Sequence, residues 1–288
     1  NLAGQRHRGG PAGRWTRRSA MKKRRKEPRP VRSRKLDALI GQLTDASGHD
    51  ARKPLRLAIE QLGAGIAPAL TAHLEHPNCF TRWEVVSLLG QIADPDTLER
   101  VVEFALCEDE VHARWRSFWA VSRFDRDRTI PMLLKALKSR NWTRRWRAAL
   151  MLSMMRRREA VPVLLKGLDN DDDWIQWEAL SALKSLAPPD IEKPITGFLS
   201  TGQPLALRQE AILTLAAIGS KKACAALKRA LRDREPQVRW RASMGLARTR
   251  DPAWLPALRA ALANEKSDTV ILQLKQDIDH LERANGKA

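Results

Sequence analysis

Three sets of side chains in this sequence have types and spacings that could do chemistry. His73, His76 and Cys79 fall within one short stretch. Two or three such ligands can approach one metal ion, but Pro77 interrupts the segment and no fourth ligand is in view, so no metal and no cofactor are expected. A second set is a recurring tripeptide: Arg82-Trp83-Glu84, Arg114-Trp115-Arg116, Arg145-Trp146-Arg147, Gln176-Trp177-Glu178 and Arg239-Trp240-Arg241. A row of indoles flanked by Arg116, Arg147 and Arg241 can stack nucleobases while guanidiniums meet phosphates. The same row can hold a basic or aromatic peptide, with Glu84 and Glu178 pairing its cations. It can also be packing, because a repeat fold repeats its core residues as readily as its binding ones. The first residues, Arg52, Arg82, Arg114, Arg145, Arg208 and Arg239, read as a structural ladder bridging to acids or carbonyls of neighbouring turns. The third set is what the period leaves unexplained: Arg116, Arg123, Arg126, Arg128, Lys138, Arg140, Arg144, Arg147, Arg156 to Arg158, and Trp119.

The spacing of the tripeptides dictates the elements that carry them. Their first residues are 32, 31, 31 and then 63 positions apart, one beat being skipped. Eight starts follow, at Arg52, Arg82, Arg114, Arg145, Gln176, Arg208, Arg239 and Ile271. Apolar or small residues recur three, seven and ten places after a start, as in Val85, Leu89 and Ile92 or Ala179, Leu183 and Leu186. That is one face of an amphipathic helix. A second ladder, Leu43, Leu74, Leu106, Leu137, Leu168, Leu199, Leu231 and Leu262, marks the end of a preceding helix. Pro68, Pro131, Pro162 and Pro256 each stand six residues before a leucine of that ladder, where they are expected in the first turn of the outer helix. No segment alternates like a strand. The fold class is therefore all-α, an α-solenoid of about eight helix-turn-helix units spanning 36–288. The last unit, with Asp277, Asp279, His280, Glu282 and Arg283, is polar enough to cap the array.

Gln237-Val238-Arg239-Trp240-Arg241-Ala242 through Leu246 resembles the common pattern of short HEAT-like repeats, of the type found in phycobilin lyases and many bacterial proteins. The resemblance covers 36 to 288 and implies a right-handed solenoid whose concave surface is lined by the helices that begin with the tripeptide. Such scaffolds host enzymes, lyases and adaptors alike. Arg82-Trp83-Glu84-Val85 with Leu89-Gly90-Gln91 also resembles the metal-binding repeat of deoxyhypusine hydroxylase. There a His-Glu pair would be implied, but Trp83 and Trp177 stand at the histidine places, so di-iron chemistry does not carry over. The tryptophans and basic residues are similar in kind to the cleft of bacterial alkylpurine DNA glycosylases, without any matching stretch.

Charge narrows the partner. The formal net charge is +19, and residues 1–35 hold 14 Lys or Arg against Glu27 alone. This segment, with Lys22-Lys23-Arg24-Arg25-Lys26, reads as a disordered basic tail. Residues 36–111 carry 5 basic and 13 acidic side chains, whereas 112–158 carry 14 basic side chains and only Asp125 and Asp127 as acids. A basic belt is thus expected in the middle repeats. No apolar run is long enough to span a membrane, and Cys79, Cys107 and Cys224 read as buried thiols of a cytoplasmic protein. The expected function is a non-catalytic scaffold with a basic, Trp-lined concave surface formed by Trp83, Trp115, Arg116, Trp119, Trp146, Arg147, Trp177 and Arg241. Nucleic acid is its leading partner, and the alternative is an adaptor or assembly factor recognising a protein segment. A bilin-lyase-like or glycosylase-like activity ranks below both, and the oligomeric state is left open.

Overall fold

The computed structural model describes residues 34–285; the basic tail, apart from Arg34 and Lys35, lies outside them. Sixteen α-helices and no strand occur among the described residues. They follow one another as pairs: α1 (Arg34–Asp45) and α2 (His49–Glu60); α3 (Ala67–Leu70) and α4 (Cys79–Ile92); α5 (Leu98–Cys107) and α6 (Val111–Ser122); α7 (Arg126–Leu137) and α8 (Trp142–Met154). The array continues through α9 (Val161–Leu168) and α10 (Asp173–Leu186); α11 (Glu192–Gly197) and α12 (Leu205–Ile218); α13 (Lys221–Ala230) and α14 (Pro236–Ala247); α15 (Leu255–Asn264) and α16 (Asp268–Asn285). This is an all-α solenoid.

The two sequence ladders meet in its core. Leu43, Leu74, Leu106, Leu168 and Leu231 are buried, as are Val85, Leu89, Leu152, Leu183 and Leu215 from the second helix of successive pairs. Each such side chain contributes about 1.5–3 kcal/mol by leaving water. The turns are fixed by short polar side chains. Asn78, Asn141, Asp172 and Ser220 accept backbone N–H groups at the starts of α4, α8, α10 and α13. At the other ends Ala93, Ala187 and Gly219 take left-handed backbone and close α4, α10 and α12.

Two expectations need correction. Pro68, Pro162 and Pro256 open α3, α9 and α15, but Pro131 lies inside α7. Asp125 caps that helix one turn earlier by accepting the Asp127 N–H, and the helix then runs on through the proline. Asp277 does not face outward as part of a polar cap. It is buried against α14, where its carboxylate accepts the Ser243 hydroxyl and the Gln273 amide, and burial pushes its pKa up.

From α4 onward the second helices of the pairs stack on one another more extensively than the first helices do, except between α6 and α8. One step is irregular: α8 leans on α5 and leaves only a thin contact with α6.

Candidate functional site

The arginine ladder shows what is regular and therefore what is not. Arg82 donates from Nη1 to the carbonyls of His76 and Pro77, and forks through Nε and Nη2 onto Glu108 of the next turn at 2.6 and 2.8 Å. Arg239 repeats this on the carbonyls of Asp233 and Arg234 and on Glu265. Arg145 takes the carbonyls of Ser139 and Arg140, and Gln176 those of Leu168 and Asn170. Arg52 takes that of Ala46. Each satisfies carbonyls that the turn leaves free.

Arg114 breaks the rule. Its place on the turn before α6 is taken by Arg147, which reaches across from α8 to the Leu106 carbonyl at 3.1 Å and Asp109 at 2.8 Å. Arg114 instead turns toward α10, its Nη2 3.7 Å from Oε1 of Glu178, and its buried Nε has no hydrogen-bond partner. Glu178 is 3 % exposed and accepts two indole N–H groups, from Trp146 at 3.0 Å and Trp174 at 3.1 Å. Burial raises the Glu178 pKa and lowers that of Arg114, because each loses hydration that the loose pair does not replace.

The exchange of arginines accompanies the lean of α8, and a cleft lies between α6, α8 and α10. Its volume is about 400 Å³, and it is lined by Trp115 of α6, Leu150, Ser153 and Met154 of α8, and Trp174, Trp177, Glu178, Ser181, Ala182 and Ser185 of α10. Trp174 and Trp177 stack with centroids 5.4 Å apart, and Trp174 remains 39 % exposed. Ser153 and Ser185 donate to carbonyls of their own helices, which leaves the walls mostly apolar. Asp171 and Asp173 stand exposed beside Trp174 at the start of α10, where the helix dipole favours negative charge.

The tryptophans of the sequence ladder occupy several environments. Trp115 and Trp177 line the cleft. Trp146 is only 6 % exposed; its ring lies over Gly167 of α9, where a Cβ would come within 2.4 Å of it, and Trp142 stacks beside it. Trp83 and Trp119 sandwich the Arg116 guanidinium, at 4.8 and 5.6 Å from their centroids. No ion-pair partner faces Arg116 among the described residues. Arg241 lies over Trp240, outside this group. The structure thus brings together Trp115 with Trp177, and Trp83 with Arg116 and Trp119, while Arg147 and Trp146 are buried behind them. Sequence reasoning missed Trp174; its signal was the four-residue spacing to Glu178 on one helix face.

The basic belt lies mainly off the second helices of the pairs. Arg123, Arg126, Arg128, Lys138, Arg140 and Arg158 are exposed on turns or along the outer helix α7. Arg144 is held in a fork by Glu103, and Arg157 pairs with Glu159. Cys107 is exposed and Cys79 half-buried rather than buried as expected, while Cys224 is buried. His73 meets Asp37 and His76 accepts the Asn78 N–H; no group of three or more potential metal ligands is assembled among the described residues. Nor is any described helix long and apolar enough to cross a membrane.

The family model for HEAT repeats matches residues 67–153, 107–184, 130–199, 161–239 and 193–274. The chain belongs to the HEAT-repeat family. Among solved structures it is similar to Kap121p bound to Pho4p, with 14 % identity and TM-score 0.62, covering 87 % of this chain and 33 % of that one. It is also similar to YibA of Escherichia coli, with 17 % identity and TM-score 0.57, covering 86 % and 92 %. The complex of CpcE and CpcF of phycocyanin lyase from Nostoc matches with 18 % identity and TM-score 0.43, covering 75 % and 94 %. No curated protein matches the chain by sequence. At these identities the solved structures speak for the fold.

Proposed function

We propose that this HEAT-repeat chain is a non-catalytic scaffold that binds a segment of a partner protein along its concave face. The observation that carries the reading is the indole-walled cleft between Trp115, Trp174 and Trp177, which has the size and apolar walls to seat a bulky side chain. Its location fits a binding role. The cleft occurs at the one irregular step of the concave stack, and a repeat array binds along that surface. Kap121p, of the same fold, is seen bound to Pho4p and to Ste12p, each a protein.

The test is affinity capture from nuclease-treated extract with the intact chain and with Trp174→Ala, whose half-exposed ring leaves the core in place. A stoichiometric protein partner should survive nuclease and lose about tenfold or more in affinity with the variant, as for an anchoring tryptophan at an interface. Retention that nuclease abolishes, or that ignores Trp174, would refute the reading.

Nucleic acid is the second reading, and Arg116 is its specific support. A guanidinium that lies over two indoles, with no ion-pair partner among the described residues, has N–H groups free to meet a phosphate. Arg116→Glu should then weaken oligonucleotide binding more than tenfold at moderate salt, by replacing an attraction with a repulsion at one phosphate contact. Equal affinities, measured by fluorescence titration at two salt concentrations, would leave the protein segment as the sole candidate.

A further inference from the structure

We infer that the cleft receives a cationic side chain, a lysine or arginine of a basic segment in the partner, with the indoles as walls and Glu178 at its base. This rests on the reading of the cleft as a protein-binding site and names the chemistry it selects.

Three observations converge on a cation. The walls are the faces and edges of Trp115, Trp174 and Trp177, and an indole face carries the negative end of the ring quadrupole. Glu178 brings a full negative charge to the lining while almost entirely withdrawn from water. Two of its lone pairs are occupied by the N–H groups of Trp146 and Trp174, which hold the carboxylate in place without neutralising it. Arg114 is its ion-pair partner at 3.7 Å, outside hydrogen-bond distance, so the two are held by charge without a fork. Asp171 and Asp173 add exposed negative charge at the start of α10, next to Trp174 in the chain though outside the lining itself, and neither has an ion-pair partner among the described residues. An anion or phosphate entering here would meet the Glu178 carboxylate. A neutral apolar side chain would fill the walls but gain nothing from the Glu178 carboxylate. A lysine or arginine gains from both, because its methylene stem packs on indole while its head approaches the carboxylate.

The same chemistry explains the arginine exchange. By taking the turn before α6, Arg147 allows Arg114 to point inward, so one guanidinium steadies Glu178 in the empty cleft without forming the fork seen at Arg82. A loose pair can be outcompeted by an incoming cation, whereas the Arg82 fork cannot be opened without exposing two buried charges.

The experiment titrates the full chain with the peptide acetyl-Gly-Ser-Arg-Arg-Gly-Ser-amide and with a twin in which citrulline, of the same shape but uncharged, replaces both arginines. Binding is followed by the intrinsic tryptophan fluorescence of the chain at two salt concentrations, and Trp174→Phe identifies the part of the signal that comes from the cleft. The arginine peptide should bind about tenfold more tightly than its twin, the worth of a cation against aromatic faces and a shielded carboxylate. Glu178→Gln keeps the size of the side chain and should shrink that preference to about twofold. Asp171→Asn with Asp173→Asn alters only exposed side chains and should halve the preference or more, so the test survives if Glu178→Gln fails to fold. Equal binding of the two peptides would overturn the cationic specificity while leaving an apolar protein-binding cleft. A preference untouched by both variants would also overturn it, placing the cation elsewhere on the chain. If neither peptide perturbs the tryptophans, the inference falls; the protein-binding reading then stands or falls separately on the Trp174→Ala capture.

Discussion

Arg82→Ala should destabilise the repeats around α4 and α6 by about 3–5 kcal/mol, the cost of stranding a buried charge. Arg82 and Glu108 have side chains 7 % and 4 % exposed, and the fork joins the end of one repeat to the turn of the next. The hydrogen bonds to Glu108 raise the Arg82 pKa further above its already high value, so the guanidinium stays charged at any accessible pH. Removing the guanidinium leaves the Glu108 carboxylate dehydrated with only the Glu110 N–H to meet it, and frees the carbonyls of His76 and Pro77. Hydrogen exchange is the appropriate measurement, because a solenoid unfolds by segments and one global midpoint would average over them. Protection should collapse in α4 and α6 and persist beyond α10. Pairing Arg82→Met with Glu108→Leu should recover most of the loss, since the pair's value lies in mutual compensation. An unchanged exchange profile for Arg82→Ala would show that the fork contributes nothing to cohesion.

This ladder also marks how far the sequence could be read. The period, the leucines and the place of Arg82 or Arg239 were legible because each depends on register within one repeat, which spacing reports directly. The acids that answer those arginines, Glu108 and Glu265, also fall at turns the period locates. What spacing could not report was the tilt between neighbouring repeats. Sequence register places Arg114 in the structural ladder and Arg147 among the binding candidates, but where α8 leans onto α5 it is Arg147 that holds the turn and Arg114 that points inward. Trp115 and Trp146 hold the same register, and they part because Gly167 leaves room for one ring and nothing equivalent serves the other. The basic belt was legible as composition but not as a surface, since the same run of residues passes from a concave helix through a turn to an outer helix. A side chain's register predicts which helix face it occupies; only the packing of that face decides whether it meets solvent, a neighbour or a ligand.

Acidification should loosen the C-terminal end of the array at a point set by Glu265. Its side chain is 3 % exposed and accepts both arms of Arg239, at 2.7 and 2.5 Å, together with the N–H groups of Lys266 and Ser267. These bonds, the Arg239 fork foremost, hold its pKa down at about 2 against an ordinary 4.5. A carboxyl whose folded pKa is depressed stabilises the fold above its unfolded pKa, so this contribution is intact at neutral pH. It is lost as the pH falls from about 4.5 through about 2, and the difference amounts to about 3 kcal/mol. Asp277 works in the opposite sense. Burial raises its pKa, so protonation suits the folded state, and its contribution grows as the pH falls. Both groups lie in the stretch that joins α14 to α16, Glu265 through Arg239 and Asp277 through Ser243. Hydrogen exchange of α15 and α16 across pH 6 to 2.5, corrected for the intrinsic rate, should therefore show a net loss of protection smaller than Glu265 alone would give. Glu265→Gln should lower protection at pH 6 and flatten the loss on acidification, whereas Asp277→Asn should steepen the apparent acid sensitivity by removing the offset. A wild-type profile that stays flat down to pH 2.5, with Glu265→Gln no weaker at pH 6, would mean that the Arg239 fork does not hold the last two repeats together.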